Sequence, residues 1–146
     1  MSKVKVQVTR EVFDEVLDYL GEHFEVSSNQ DDRPFTPTEL AQALADKQGA
    51  LTVLTDKVDE ALLSRCPQLK AVCNIAVGYN NFDLKAMSAR GVFGTNTPGV
   101  LDAATADFTW ALILATARRL TEAEAWLRAG EWQGWKLKQF LGMDVQ

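Results

Sequence analysis

The chain has 146 residues, of which 47% are hydrophobic and 24% are charged, and this length and balance suit a folded protein with a buried core. The formal net charge of −5 gives no basic excess, so we expect neither nucleic acid nor an anionic membrane as a partner. No apolar run approaches the roughly 20 residues of a spanning helix. The start, Met1–Val6, is typical of a strand and not of a signal peptide.

The cysteines and the single histidine show no catalytic or metal-binding pattern. Cys66 and Cys73 lie beside or within apolar runs, without metal or redox spacing, so we expect buried, reduced thiols and a cytoplasmic protein. His23 ends a predicted helix, where a positive charge interacts favourably with the helix dipole. That interpretation is favoured over a catalytic role.

The first hundred residues alternate strand patterns with helix patterns. The predicted strands are residues 3–8, 24–26, 50–54, 71–75 and 92–95. The predicted helices are residues 10–22, 59–65 and 84–90, with a further one that begins at Pro37. Such alternation predicts an α/β fold in which right-handed crossovers place helices on both faces of a parallel sheet. A flavodoxin-like sheet of five strands is the simplest member of that class at this size.

Several helix ends carry capping signals. Thr9 is the predicted N-cap of the first helix. Residues 36–39 (TPTE) combine a capping threonine, a proline at the first helical position and a glutamate three residues after the cap. Asp83 is the predicted N-cap of residues 84–90, and Gly91 is placed to end that helix.

The last third of the chain contains no strand pattern. Residues 100–120 predict a long helix that is apolar nearly all round. A second helix is predicted over residues 121–129, with Glu124 as the partner in its capping box and Gly130 as its end. We therefore divide the chain into a flavodoxin-like domain, 1–100, and a long helix with a dimerisation arm, 101–146.

The loop Ala76–Asp83 (AVGYNNFD) is the main candidate for a functional site. It runs from the carboxyl end of a predicted strand to the start of a helix, where ligands bind in open α/β sheets. Gly78 lets the backbone approach a ligand closely, and successive free N–H groups can hold an anion. The alternative is an ordinary turn without a ligand. The sequence contains neither G-x-G-x-x-G nor a Walker lysine motif.

Three motifs in order resemble the D-isomer-specific 2-hydroxyacid dehydrogenases. They are residues 77–83 (VGYNNFD), residues 95–100 (TNTPGV), and residues 105–107 (TAD) opening residues 110–119 (WALILATARR). The glyoxylate/hydroxypyruvate and 2-ketogluconate reductase branch is the most similar, and the resemblance covers essentially the whole chain. Asn80 stands where that branch often has Asp, which we interpret as a tolerated variation.

The resemblance implies a two-domain enzyme that uses NAD or NADP and has a flavodoxin-like substrate domain. In such enzymes the loop matching Val77 and Gly78 holds the substrate carboxylate by backbone N–H groups. The residue matching Leu54 lines the same pocket, and the segment matching Thr105 lies beside the nicotinamide half of the cofactor. A segment from the C-terminus of such enzymes completes the substrate domain.

Family chains are at least twice as long as this one. Beyond the position of Gln146 they carry the G-x-G-x-x-G turn and then a catalytic arginine, an acidic residue and a histidine. No residue here matches those positions, so the sequence assigns no catalytic residue. We expect an inactive N-terminal piece of a 2-oxo acid reductase that does not bind NAD(H) or NADP(H) tightly. The alternative is a non-catalytic flavodoxin-like module for dimerisation or binding.

The resemblance and the composition both predict a homodimer through Val100–Gln146. Trp126, Trp132 and Trp135 follow a helix that is too apolar to be exposed alone. In the related dehydrogenases this helix and the arm after it pack against the partner subunit. The alternative is that the tail folds back over its own helix.

Overall fold

The structure is a computed structural model that describes residues 3–145, and the chain divides into two compact units between Gly99 and Val100. The elements of the first unit are β1 (Val4–Val8), α1 (Asp14–His23), β2 (Phe24–Ser28), α2 (Pro37–Leu44), β3 (Gly49–Thr52), α3 (Glu60–Leu63), β4 (Ala71–Asn74), α4 (Leu84–Arg90) and β5 (Phe93–Thr95). Those of the second unit are α5 (Asp102–Ala117) and α6 (Leu120–Arg128). No helix within residues 3–145 has the length and apolar character needed to cross a membrane.

The five strands form one sheet in the order β2-β1-β3-β4-β5, and every pair is parallel. One row of paired residues crosses the sheet, in the order Val26, Val6, Gly49, Ala71 and Phe93. This confirms the predicted α/β fold with its flavodoxin-like strand order, in which the direction of winding reverses between β1 and β3.

The main hydrophobic core lies on one face of the sheet, under α2, α3 and α4. Alternate strand residues such as Ala50 and Val72 point into it. Its other buried members are Leu40, Ala41, Leu44, Val58, Leu62, Leu63, Cys66, Leu69, Phe82, Ala86, Met87 and Val92. The apolar side chains of α2 therefore pack on the buried strand residues, as the sequence pattern predicts.

The second face of the sheet carries α1, and it is less completely covered. An almost wholly apolar cavity of about 430 Å³ lies there, between strand residues such as Val6 and Leu51 and Leu20 of α1. Cys73 also lines it and is half-buried, so the expectation of two fully buried thiols holds only for Cys66. Burial raises the pKa of the Cys66 thiol, and its sulfur donates to the carbonyl of Ala41.

The predicted start of the first helix is wrong. Thr9 does not cap it, because its buried hydroxyl donates to the Asp56 carboxylate and lies 3.1 Å from the Leu51 carbonyl. Helix α1 instead begins at Asp14 after Phe13, which has no side-chain oxygen to serve as a cap. The long-range hydrogen bonds of Thr9 prevail over its local capping preference.

The other two capping predictions in the first unit are confirmed. Thr36 accepts from the backbone N–H of Glu39, and the Glu39 carboxylate accepts in return from the N–H of Thr36. Asp83 accepts from two N–H groups in the first turn of α4, and Gly91 ends that helix with φ +64°. Glycine adopts this left-handed backbone conformation at little cost in free energy, because it has no Cβ.

The second unit differs from the prediction at the junction of its helices. The long helix is shorter than predicted, since α5 ends at Ala117. Arg119 then adopts φ +53° and forms an ion pair with Glu122. Glu124 does not form the predicted capping box and pairs with Arg128 one turn later on the surface of α6.

The tail of the second unit folds back toward the end of its own helix α5 and toward α6. Met143 donates its N–H to the carbonyl of Ala117 at 2.8 Å. Phe140 packs edge-on against Trp126 with ring centroids 5.3 Å apart. A Cβ at Gly142 would overlap the Ala117 carbonyl, so the tail approaches the end of α5 as closely as its backbone permits.

The capping box of α2 predicts a pH dependence of stability. The Arg33 guanidinium, with help from the Thr36 N–H, lowers the pKa of the Glu39 carboxyl from its usual 4.5 to about 2. A lowered pKa in the folded state gives stability that is present above pH 4.5 and lost as the pH falls toward 2. Over that window we expect the urea midpoint to fall less in Glu39→Gln than in the unsubstituted chain. Glu15→Gln is the control, and equal acid slopes in both variants would contradict the prediction.

Candidate functional site

The candidate site lies at the carboxyl edge of the sheet, where three loops begin. They follow β3 at Thr52, β4 at Asn74 and β5 at Thr95. In a parallel sheet these ends share one edge, which is where open α/β sheets bind ligands. His23 ends α1 directly before β2 and therefore lies at the opposite edge.

The carbonyl groups of the β4 loop are held by hydrogen bonds. The carbonyl of Ala76 accepts from the Thr97 N–H at 2.9 Å, and that of Val77 accepts from the Asn96 amide at 2.7 Å. The carbonyl of Gly78 accepts from Asn74 at 2.9 Å. Three successive carbonyls therefore have fixed partners, and the orientation of each peptide plane is set.

The N–H groups of Val77 and Gly78 are available for a ligand. No peptide bond in residues 3–145 is cis, and in a planar trans peptide the N–H points opposite to the carbonyl. Since the Ala76 and Val77 carbonyls both point toward the β5 loop, both N–H groups point away from it. Neither donates a hydrogen bond to any residue that the structure describes. Two successive N–H groups on one side suit an anion.

Leu54 stands next to Gly78. Its side chain is 53% exposed, and its Cδ2 would lie 3.6 Å from a Cβ built on Gly78. Gly78 is not among the glycines with positive φ, so its backbone conformation does not require glycine. A Cβ at this position would therefore make an ordinary van der Waals contact with the Leu54 side chain.

A polar network beneath the loop joins the ends of β1, β3 and β4. Thr52 donates to Asn74, and Asn74 and Asn81 exchange hydrogen bonds between their side-chain amides. Asp56, also buried, accepts from Thr9 and from the Val53 N–H. Sequence reasoning missed this network. Asn74 and Asn81 were both visible as polar residues at the end of a buried strand and in the following loop, but their pairing is a long-range contact.

The arginine that follows the first strand at this edge is already paired with a carboxylate. Arg10 follows β1 and donates to Asp32 at 2.9 Å. That hydrogen bond raises the pKa of Arg10 and lowers the pKa of Asp32. Within residues 3–145, no group of three or more His, Cys, Asp or Glu side chains could hold a metal ion. The arrangement offers backbone hydrogen bonds to a small anion.

The start of α4 is a poor place for the diphosphate of a dinucleotide. The donors at the start of α4 are occupied, because Asp83 accepts from the N–H groups of Lys85 and Ala86. Its carboxylate would also repel a phosphate placed there. Thr105, the predicted cofactor residue, lies in the first half of α5 in the second unit, where it is exposed and its N–H donates to Leu101.

A sequence model of one protein family matches most of the chain. The family is described as "D-isomer specific 2-hydroxyacid dehydrogenase, catalytic domain", and the match spans residues 6–133. The chain belongs to this family, as its three motifs indicate.

Curated relatives include several archaeal glyoxylate reductases. The chain is 44% identical over 151 residues to glyoxylate reductase of Aeropyrum pernix, covering 100% of this chain and 45% of the relative. It is 42% identical over 147 residues to that of Thermococcus gammatolerans, covering 98% of this chain and 44% of the relative. The chain therefore spans less than half the length of the curated relatives it matches.

Solved structures of similar fold agree with this assignment. A protein from Thermus thermophilus superposes with a TM-score of 0.87 at 37% identity, over 98% of this chain and 46% of that one. An NADPH-dependent glyoxylate/hydroxypyruvate reductase from Sinorhizobium meliloti, in complex with NADP and malonate, superposes with a TM-score of 0.73 at 34% identity. That match covers 90% of this chain and 40% of the reductase.

Proposed function

We propose that the chain forms the substrate-binding part of an NAD(P)-dependent D-2-hydroxyacid dehydrogenase. The reaction is the reduction of a small 2-oxo acid, such as glyoxylate or hydroxypyruvate, to the 2-hydroxy acid. Membership of the family and the similarity to glyoxylate reductases support it. The observation that carries it is the pair of N–H groups at Val77 and Gly78, both free of partners among the described residues.

The two N–H groups would hold the substrate carboxylate, one to each oxygen or both to one. Hydrogen bonds to a charged group contribute about 1.5–3 kcal/mol each. The proposed contacts are backbone N–H groups and include no cationic side chain. We therefore expect these 146 residues to bind the acid with a millimolar or weaker dissociation constant, and a millimolar constant corresponds to a binding free energy of about −4 kcal/mol. Leu54 lies beside Gly78 and would contact the carbon skeleton of the acid.

The cofactor would supply the hydride, and these residues would contribute little to the free energy of cofactor binding. Thr105 is the one proposed contact, and a single neutral hydrogen bond contributes about 0.5–1.5 kcal/mol. The 146 residues contain no G-x-G-x-x-G, so by themselves they should bind NADH and NADPH weakly. None of the chain's own residues is assigned to proton transfer.

The proposed partner is a second copy of the chain, bound through Val100–Gln146. The apolar side chains of α5 and α6 support this proposal, because many of them are exposed. They include Phe108, Trp110, Leu112, Leu114, Leu120 and Leu127. A twofold interface would cover both copies of this surface at once.

Replacing Gly78 by valine tests the carboxylate site. The backbone there tolerates a side chain, but the added methyl groups would crowd the Leu54 side chain and a ligand at the N–H pair. We expect Gly78→Val to remove the amide shift changes that glyoxylate causes in a nitrogen-15 NMR titration.

Gly21→Ala is the matched control, because a Cβ there meets no other atom within 4 Å. It should titrate like the unsubstituted chain. If Gly78→Val and Gly21→Ala respond equally to glyoxylate, the carboxylate does not bind at this loop.

A further inference from the structure

We propose that Asn81 is a positioning residue that holds the β3 loop and the β4 loop in fixed register. Through it, Leu54 and the N–H groups of Val77 and Gly78 keep their spacing. The inference rests on the proposed function for the identity of the ligand. The predicted order of the loop is independent of that function, because it is measured in the protein without a ligand.

Asn81 is bound to the β3 loop on both sides of Leu54. Its Nδ2 donates to the carbonyl of Asp56 at 2.9 Å and lies 3.3 Å from that of Val53. These two carbonyls flank the segment that carries Leu54. The amide therefore fixes the chain on either side of the residue that would contact the substrate.

Asn81 reaches the β4 loop through Asn74. The two side chains exchange hydrogen bonds, with Asn74 Nδ2 3.2 Å from Asn81 Oδ1 and Asn81 Nδ2 3.3 Å from Asn74 Oδ1. Asn74 Nδ2 also donates to the carbonyl of Gly78 at 2.9 Å. Thr52, fully buried, donates to Asn74 Oδ1. A continuous chain of contacts therefore runs from the Leu54 segment to Gly78.

The arrangement requires an amide at position 81. One end of the side chain must donate to carbonyls and the other must accept from Asn74, and only an amide offers both groups in this shape. A carboxylate would place a charged oxygen against the carbonyls of Val53 and Asp56. Asn74 and Asp56, which accept from the Asn81 amide, are buried, so leaving their oxygens without this donor costs free energy.

Asn81→Asp tests the inference, and Asn80→Asp is the matched control. Asn80 is the exposed neighbour, and its substitution adds the same charge to the same loop. We expect nitrogen-15 relaxation of the free protein to give order parameters of about 0.85 at Val77 and Gly78 in the unsubstituted chain and in Asn80→Asp. In Asn81→Asp we expect values below about 0.6.

Glyoxylate titration of the same samples gives the second measurement. We expect the dissociation constant for Asn81→Asp to be about tenfold higher than for Asn80→Asp, the equivalent of losing one positioned hydrogen bond. The hydrogen-exchange rate of the Asn29 backbone N–H, which donates to the Val8 carbonyl at the far side of the sheet, should be unchanged. A residue with a merely structural role would lower protection throughout the sheet.

Thr52→Val is the second variant, and it decides the question if Asn81→Asp fails to fold. It removes only the hydroxyl that donates to Asn74, so the loop should loosen in the same direction by a smaller amount. Equal order and equal affinity in Asn81→Asp and Asn80→Asp would overturn the inference, as would an unchanged loop in Thr52→Val. A loosened loop in a chain that never binds glyoxylate would support the positioning role and contradict the proposed function.

Discussion

Light scattering should give the intact chain twice the 16.2 kDa mass of one copy, and removing every residue after Leu120 should give an aggregating or unfolded product. The reason is the exposure of the second unit. In α5, Phe108 is 65% exposed and Trp110 is 57% exposed, and no side chain of this helix is buried. Soluble monomers rarely carry so large an apolar surface.

The tail does not remove that surface. It contacts the end of α5 at Ala117 and packs Phe140 on Trp126, which leaves the middle of α5 open. An obligate interface of about 2,000 Å² or more would cover it. In such a dimer the interface is part of the stability of each copy, so deletion of the arm should affect folding as well as assembly.

Removing only residues 144–146 is the control for the deletion. It leaves the hydrogen bond from Met143 to Ala117 in place and should keep the dimer mass. A clean monomer mass for the intact chain at micromolar concentration, with solubility retained, would rule the dimer out.

Leu44→Ala should strongly destabilise the first unit. Leu44 is the last residue of α2, has no exposed surface and belongs to the hydrophobic core between the helices and the sheet. Truncating a buried leucine costs about 2–5 kcal/mol, because apolar contacts are lost and the cavity closes only in part. Urea unfolding measures the change in the free energy of unfolding.

Phe93→Ala is the control for this prediction. Phe93 lies in the edge strand β5 and is 76% exposed, so its truncation should cost within about 0.5 kcal/mol. Equal urea midpoints for the two variants would show that the core does not lie where the structure places it.

The parts of the fold that the sequence predicts are those with local signals. The five strands appear as short apolar or alternating runs, and the sheet confirms all five. The caps at Thr36 and Asp83 are also correct, because an N-cap needs only the three residues that follow it. Thr9 has the same local preference, but its hydroxyl donates a hydrogen bond to Asp56, which is distant in sequence.

The candidate site depends on contacts that no local pattern contains. The loop at Val77 and Gly78 was found from its position after a strand, and Leu54 from the family resemblance alone. The pairing of Asn74 with Asn81 joins residues on two sides of that loop, so it became visible only in the folded chain. The assignment of Leu54, Val77 and Gly78 to substrate stays a prediction, as does that of Thr105 to cofactor.

Amide shift mapping with two small ligands tests the central claim most directly. Glyoxylate carries a carboxylate, whereas methylglyoxal is of similar size and carries none. If the N–H groups of Val77 and Gly78 hold a carboxylate, glyoxylate should shift these two amides more than any others in the chain, and methylglyoxal should leave them unchanged. Equal shifts with both ligands, or glyoxylate shifts confined to residues outside this loop, would contradict the account.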